Sequence, residues 1–510
     1  MEESLGPISR AVEAADADAR SFLDRLRARD HTVWQSDPTE VADRLGWLDA
    51  PADAERLVSR LTSFSSEVVA DGVTDVALVG MGGSSLFPEV LARTFGPAAG
   101  HPRLHVLDST DPGAVLGLEA RLPWTATLVL AASKSGTTVE MKSLLSRFRA
   151  RLEDGDPGHA GRSIAAITDP GTPLQSRGEA ERFRAVFPSP EDVGGRFSAL
   201  TAFGLVPAAL LGVDLEQLVE PARTVFDRAL AGERDPGDPV RLGAVLAAAA
   251  RAGRDKLTLL LPEDAPGLGA WIEQLVAEST GKHGLGILPV LGEPADADRF
   301  EVDDRLVVAL GEHPGVDAVA DAGHPVVRLD WDGPQGLGAE IARWELATAV
   351  AGALLELNPF DQPNVASAKQ ATERVLASGG DLPGHDDPRA ALDRLRPGGY
   401  VALLGFVTPS GPDHAAMLEA AERLRQRTSA PVTVGVGPRY LHSTGQLHKG
   451  GPDGGVFLVT VGEDPEDAEV PGEEFTFSRL KRAQAAGDLE ALRGARRHTA
   501  HVPPAALDDL

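Results

Sequence analysis

From residue 73 onward the chain alternates short apolar runs with helical stretches, and this alternation limits the fold more than any other feature. VTDVALVGMGG (73–83) reads as a buried strand that empties into a glycine turn, and SLFPEVLART follows as a helix. RLHVLDS (103–109) and ATLVLAASKSG (126–136) are further strands, the second leading into the helix TTVEMKSLLSRFRARL. RSIAAITDP (162–170) and FRAVFPSP (183–190) continue the series, and SALTAFGLVPAALLG (198–212) reads as an apolar helix. The pattern restarts with the strand DKLTLLLPE (255–263) and the helix LGAWIEQLVAEST (268–280). RLVVALG (305–311) and HPVVRLDW (324–331) are strands, and GAEIARWELATAVAGALLEL (338–357) is a long helix. Apolar strands joined by helices form parallel sheets covered on both faces. The expected fold class is α/β, with two doubly wound parallel-sheet domains.

At 510 residues the chain is too long for one core. Residues 8–70 look mainly helical, and a polar linker, ASGGDLPGHDDPRA (377–390), precedes a third section with the strands YVALLGFV, PVTVGVG and GVFLVTVGE and a helix near 413–427. The expected division is an N-terminal helical segment (1–65), two doubly wound domains (66–225 and 226–376) and a C-terminal α/β section (390–510). The charged tail from about residue 465 is expected to be only partly ordered.

A formal net charge of −27 argues against nucleic acid or an anionic membrane as partner. With no cysteine there is no disulfide framework, thiolate nucleophile or thiolate metal site. The start, MEESLGPISRAVEAADADAR, is acidic and helical in pattern and lacks an apolar signal core, and no apolar run is long enough to span a bilayer. A cytoplasmic protein is expected. Lysine is rare. Of the seven lysines, four lie in or beside Gly/Ser/Thr/His-rich stretches, at SKSGTT, STGKHG, NVASAK and LHKGG.

Residues 132–140, ASKSGTTVE, place four hydroxyls, an ammonium and one flexible glycine directly after the apolar run TLVLA. Ligands of open parallel sheets bind beyond the carboxyl ends of strands. Both SKSGTT (133–138) and GMGGSS (80–85) sit there, each ahead of a helix whose N-terminus offers free N–H groups and a partial positive charge. Two such loops can enclose a phosphate monoester. Neither has the nucleotide P-loop spacing, and GMGGSS lacks the third glycine of a dinucleotide fingerprint. In EDVGGRFSALTAFG (191–204), Arg196 sits on a pliable Gly-Gly turn and can neutralise oxyanion charge or hold a sugar hydroxyl. Glu278, in AESTGKHGLGILPV (277–290), closes a largely apolar helix. A carboxylate partly withdrawn from water at a helix end accepts a proton more readily, which makes Glu278 a candidate general base. Taken singly, each stretch also fits a plain turn, a surface arginine or a helix-end glutamate.

Taken in order, GMGGSSL, SKSGTTVE, EDVGGRFSAL, ESTGKHG and NPFDQPNVASAK resemble the signature stretches of the glucose-6-phosphate isomerase family over about residues 70–375. The resemblance implies two sugar-isomerase (SIS) domains, action on aldose and ketose 6-phosphates in glycolysis and gluconeogenesis, no cofactor, no metal, and a homodimer. It implies a phosphate site at Ser84, Ser133, Ser135 and Thr138, with Lys134 and Thr137 in the same loop. It places Gly83, Gly195 and Arg196 at the C1–C2 end of the sugar, Glu278 as the base that moves a proton through a cis-enediol(ate), and Lys369 near the ring oxygen.

One departure stands out. The family has a ring-opening histidine between its Glu and Lys motifs, whereas here His313 and His324 occupy that interval in contexts that do not match. GPRYLHSTGQLHKGG (437–451) resembles the histidine stretch displaced along the chain, so His442 is the expected ring-opening group, with His448 second. The layout is also similar to the isomerase half of bacterial transaldolase–isomerase fusions. Two other functions are compatible with the same loops: a dual glucose/mannose 6-phosphate isomerase, and a non-enzymatic sugar-phosphate sensor. A sensor has no need of Glu278, Arg196 and Lys369 together.

Overall fold

The apolar runs become the strands of three largely parallel sheets in a computed structural model that describes residues 1–231, 237–300, 302–379 and 381–510. The chain opens on a short strand, β1 (Glu2–Ser4). The first sheet is built from β2 (Asp75–Gly80), β3 (Arg103–Leu107), β4 (Thr127–Ala132), β5 (Ile164–Thr168) and β6 (Ala185–Pro188), all parallel, in the order β3-β2-β4-β5-β6. Successive residues of a strand point to opposite faces, and here each face has its own core. Val76, Leu78, Leu128 and Leu130 pack with Phe87, Leu91 and Phe203. Ala77, Val79, Val129 and Ala131 pack with Met141, Leu144 and Phe148 on the other side.

The second sheet holds β7 (Lys256–Leu260), β8 (Leu288–Val290), β9 (Arg305–Leu310) and β10 (Val326–Leu329), in the order β1-β10-β9-β7-β8. β1 is its antiparallel edge, with Glu2 opposite Arg328. Nothing in MEES reads as a strand. Its place comes from long-range pairing, helped by Arg241, which grips Glu3 through two bonds of 2.9 and 2.8 Å. The third sheet comprises β11 (Tyr400–Phe406), β12 (Val432–Val436), β13 (Gly455–Val461) and β14 (His498–Val502), all parallel, in the order β12-β11-β13-β14.

The tail corrects the expectation of partial order. Residues Phe477–Gly494 form a helix, and β14 follows it into the sheet. The charges are interleaved with Phe477, Leu480, Ala483, Leu489 and Leu492, all buried, so the segment has a full apolar face. Gly487 lets this helix approach the helix Val365–Ser378 closely, since a Cβ there would lie 2.7 Å from Thr372 N.

The carboxyl ends of the third sheet face the first. Asp111, in the loop after β3, accepts from Thr408 Oγ1 (2.7 Å), just beyond β11, and from Lys481 Nζ (3.0 Å). Lys481 also holds Gly462 O and Asp464, beyond β13. β11 and β13 flank the point where strand order reverses, which is where an open sheet normally binds its ligand. Here a carboxylate of the first sheet fills that place. Lys481 is fully buried, so Lys481→Met would strand two buried carboxylates. The expected cost is about 3–5 kcal/mol, read as a lower urea midpoint by circular dichroism.

Candidate active site

Strand order in the first sheet reverses between β2 and β4, and the loops that follow these two strands frame a cavity of about 360 Å³. Gly82, Gly83 and Ser84 come from the first loop, and Ser133, Lys134, Ser135 and Thr138 from the second. Gly195, Arg196, Glu278, Lys369 and His442 complete the wall. Of the residues singled out in the sequence for the phosphate loop, Thr137 alone does not line the cavity; its hydroxyl pairs with Ser135 Oγ at 2.8 Å.

The hydroxyl-rich end is set by local geometry. Gly136 has φ +66°, and a Cβ there would meet Leu174 N at 2.8 Å. Its N–H donates to Ser133 Oγ, which pairs with Thr138 Oγ1 at 3.0 Å. The helix Val139–Gly155 starts here without a side-chain cap, so its first-turn N–H groups and dipole are available to an anion. Lys134 donates to Asp169 Oδ1 (2.7 Å) and Pro190 O (3.0 Å). Burial pushes its ammonium below the ordinary value, and Asp169 opposes this. Burial pushes Asp169 up in turn. Arg44, from the N-terminal segment, lines the same end. No sequence signal marked Arg44 or Asp169, because neither belongs to a loop that follows β2 or β4.

At the opposite end Gly83 lies so close to the Gly194–Gly195 turn that a Cβ would sit 2.0 Å from Gly195 O. Arg196 is buried and donates to the carbonyls of Pro359 (2.9 Å), Phe360 (3.0 Å) and Asp361 (3.1 Å). Its Nε lies 3.2 Å from Glu278 Oε2. Lys282, also buried, donates to Asn358 O, to Asp361 O (2.7 Å) and to Asp361 Oδ1 (2.5 Å). Desolvation pulls Lys282 down to about 8, with Arg196 adding to the effect and Asp361 opposing it. Two cations thus gather the main chain of NPFD and fix the entry to the helix that carries Lys369.

Glu278 ends the helix Leu268–Thr280, with its side chain 8% exposed. Gln274, one turn earlier, donates to Glu278 Oε2 (3.2 Å) and to the main-chain oxygen of His442 (2.7 Å). His442 Nε2 lies 2.9 Å from Glu140 Oε1. Burial acts to raise the Glu140 carboxyl, but the charge and hydrogen bond of His442, with Lys369 assisting, hold it below the usual value. A carboxylate only accepts, so Nε2 carries the proton of this bond, and Nδ1 makes no hydrogen bond with the described residues. His448 lies in the third sheet's core, 3.3 Å from Tyr400 OH, and burial with Lys449 and Arg497 nearby pushes it down to about 3. It does not line the cavity. Five lysines pair with aspartates, namely Lys134, Lys256, Lys282, Lys449 and Lys481. Lys369 is exposed at the cavity and has no hydrogen bond or ion pair with the described residues.

The family described as phosphoglucose isomerase matches residues 23–284. A glucose-6-phosphate isomerase of Rubrobacter xylanophilus is 30% identical over 404 residues, covering 68% of this chain and 91% of that protein. One from Thermus thermophilus is 32% identical over 393 residues, covering 66% and 91%. The chain belongs to the phosphoglucose isomerase family. Among solved structures, a hypothetical protein of Thermus thermophilus superposes with a TM-score of 0.63 at 28% identity, over 74% of this chain and all of that one. A glucose-6-phosphate isomerase of Chlamydia trachomatis shares the fold, with a TM-score of 0.60 at 17% identity, over 76% and 89%. The residues matched to the phosphoglucose isomerase family contain Glu278 and both loops of the first sheet, whereas Lys369 and His442 lie beyond them.

The contact between Gly83 and Gly195 generates a test. In Gly83→Ala the new methyl group meets main chain, which must move Arg196 and with it Glu278. Displacements of about 1 Å cost on the order of 10²-fold in turnover. A loss of that size in kcat/KM, with the fold retained by circular dichroism, is the expected result.

Proposed function

We propose that this chain interconverts glucose 6-phosphate and fructose 6-phosphate by ring opening followed by proton transfer between C2 and C1 through a cis-enediol(ate). The observation that carries the reading is the polarity of one cavity. A hydroxyl-lined helix N-terminus closes one end, and a buried carboxylate held by an arginine and an amide closes the other.

In this reading Ser84, Ser133, Lys134, Ser135 and Thr138 hold the phosphate, and Thr137 steadies Ser135. Binding the phosphate there carries the sugar carbons toward Glu278. Glu278 takes the proton from one carbon and returns it to the next, so one carboxylate serves both half-reactions. Aldose and ketose are isomers, so electrons balance within the substrate and the scheme calls for no external acceptor. Arg196 stabilises the enediolate oxygen through its charge and keeps Glu278 aimed, while Gly83 and Gly195 let the sugar approach the main chain. His442 exchanges a proton with the ring through Nδ1, and the uncommitted ammonium of Lys369 assists at the ring oxygen.

The family resemblance further supports a cytoplasmic homodimer of the type joined to transaldolases in bacterial fusions. We also read the chain as an N-terminal helical segment (1–65), whose β1 joins the second sheet, followed by three α/β units at 66–225, 226–376 and 390–510. His442 supports reading the third sheet as part of the isomerase.

The test is turnover of fructose 6-phosphate in EDTA, coupled to glucose-6-phosphate dehydrogenase. Glu278→Gln is expected to lose several orders of magnitude in kcat, on the order of 10²–10⁴-fold or more, while sugar-phosphate binding is retained. Retained turnover in that variant would remove Glu278 as the base. Ser135→Ala and Thr138→Ala are expected mainly to raise KM, each by the equivalent of about 1–3 kcal/mol.

A further inference from the structure

The pair formed by His442 and Glu140 continues away from the cavity. Glu140 Oε1 also accepts from Gln484 Nε2 at 2.7 Å, and Gln484 Oε1 accepts from Thr110 Oγ1 at 2.6 Å. Gln484 is 2% exposed and does not line the cavity, so it touches no substrate. Both ends of its amide are used, which fixes its orientation: the nitrogen must face the carboxylate and the oxygen must face the hydroxyl. A line of three hydrogen bonds therefore runs from Thr110 through Gln484 and Glu140 to His442, crossing between the first and third sheets at each step.

The helix Phe477–Gly494 is built to hold this residue still. Lys481, three residues earlier, is locked to Asp111 and Asp464. Asp488, four residues later, accepts from Tyr440 OH (2.7 Å) and pairs with Lys449 (2.5 Å). Positions 481, 484 and 488 lie on one helical face, and all three side chains are buried. Tyr440 stands two residues before His442. One helix thus steadies the histidine from both sides: its main chain by way of Tyr440, and its imidazole by way of Glu140.

We propose that Gln484 is a positioning residue for ring opening: it fixes the Glu140 carboxylate so that His442 keeps its proton on Nε2 and offers Nδ1 to the sugar. This rests on the reading of His442 as the ring-opening group. An unheld carboxylate can rotate away, and the imidazole then loses both its tautomer and its direction. The cost falls on substrates that must be opened and spares those already open.

The experiment compares fructose 6-phosphate with 5-deoxyfructose 6-phosphate, which lacks the hydroxyl that closes the ring, both followed by NMR. Gln484→Met keeps the side-chain length and removes both hydrogen bonds. It is expected to lower kcat on fructose 6-phosphate by about 10–100-fold, with KM and the turnover of the 5-deoxy compound each within about threefold. Thr110→Val removes only the far hydroxyl and is expected to act in the same direction by about 2–5-fold. Should Gln484→Met not fold, Thr110→Val decides: slowing of fructose 6-phosphate by about twofold or more relative to the 5-deoxy compound supports the proposal, and equal rates overturn it. Equal slowing of both substrates, or no slowing, overturns the proposal. His442→Ala separates the two layers. If it too slows both substrates equally, the ring-opening reading falls. If it is selective and Gln484→Met is not, only the role of Gln484 falls.

Discussion

The site depends on one carboxylate, Asp111, being taken into the switch point of the third sheet. Asp111 already accepts from the N–H of Ala114 at the start of its own helix, and Thr408 and Lys481 add two bonds from the other sheet. Two further links run alongside. Arg439 pairs with Glu89 and Asp108, and His442 pairs with Glu140. In each, the acid comes from the first sheet's side and the basic group from the third. Buried charges tolerate little displacement, because each unpaired group would carry its full desolvation penalty. The contact therefore has one register, and that register brings His442 to a cavity formed by loops three hundred residues earlier.

The same logic organises the other wall. Arg196 and Lys282 direct their donors to the carbonyls of residues 358–361 instead of to solvent. The turn so gathered launches the helix with Lys369. In a chain of net charge −27, five of the seven lysines pair with aspartates; of the two lysines at the cavity, Lys134 has such a partner and Lys369 does not. Burial of both partners explains why Lys134 shifts down while its partner Asp169 shifts up.

The parallel sheets and the two anion-ready loops were legible because they follow from local rules. Short continuous apolar runs make strands buried on both faces, glycine permits the tight turns, and hydroxyl residues precede the helices. The order of the tail is not legible in its charge pattern, because several of its polar side chains point inward. Lys481, Gln484 and Asp488 are interior residues with partners on other elements. β1 is not legible in the sequence because a three-residue edge strand carries no periodic signal. Glu140 sits within the motif SKSGTTVE, yet its use could not be seen there, since its partners His442 and Gln484 lie more than three hundred residues away.

The sequence alone determined the α/β class, the strands that would be buried on both faces, and the loops able to receive a phosphate, because each depends on residues adjacent in the chain. The family resemblance adds two candidate histidines for ring opening, His442 and His448. Only the tertiary structure sets their places apart: His448 is sealed among Tyr400, Tyr440 and Phe457, whereas His442 lines the cavity. That difference depends on how a third sheet docks on the first through buried charge pairs. Pairing of this kind is set by distances between elements remote in sequence, which no local pattern records.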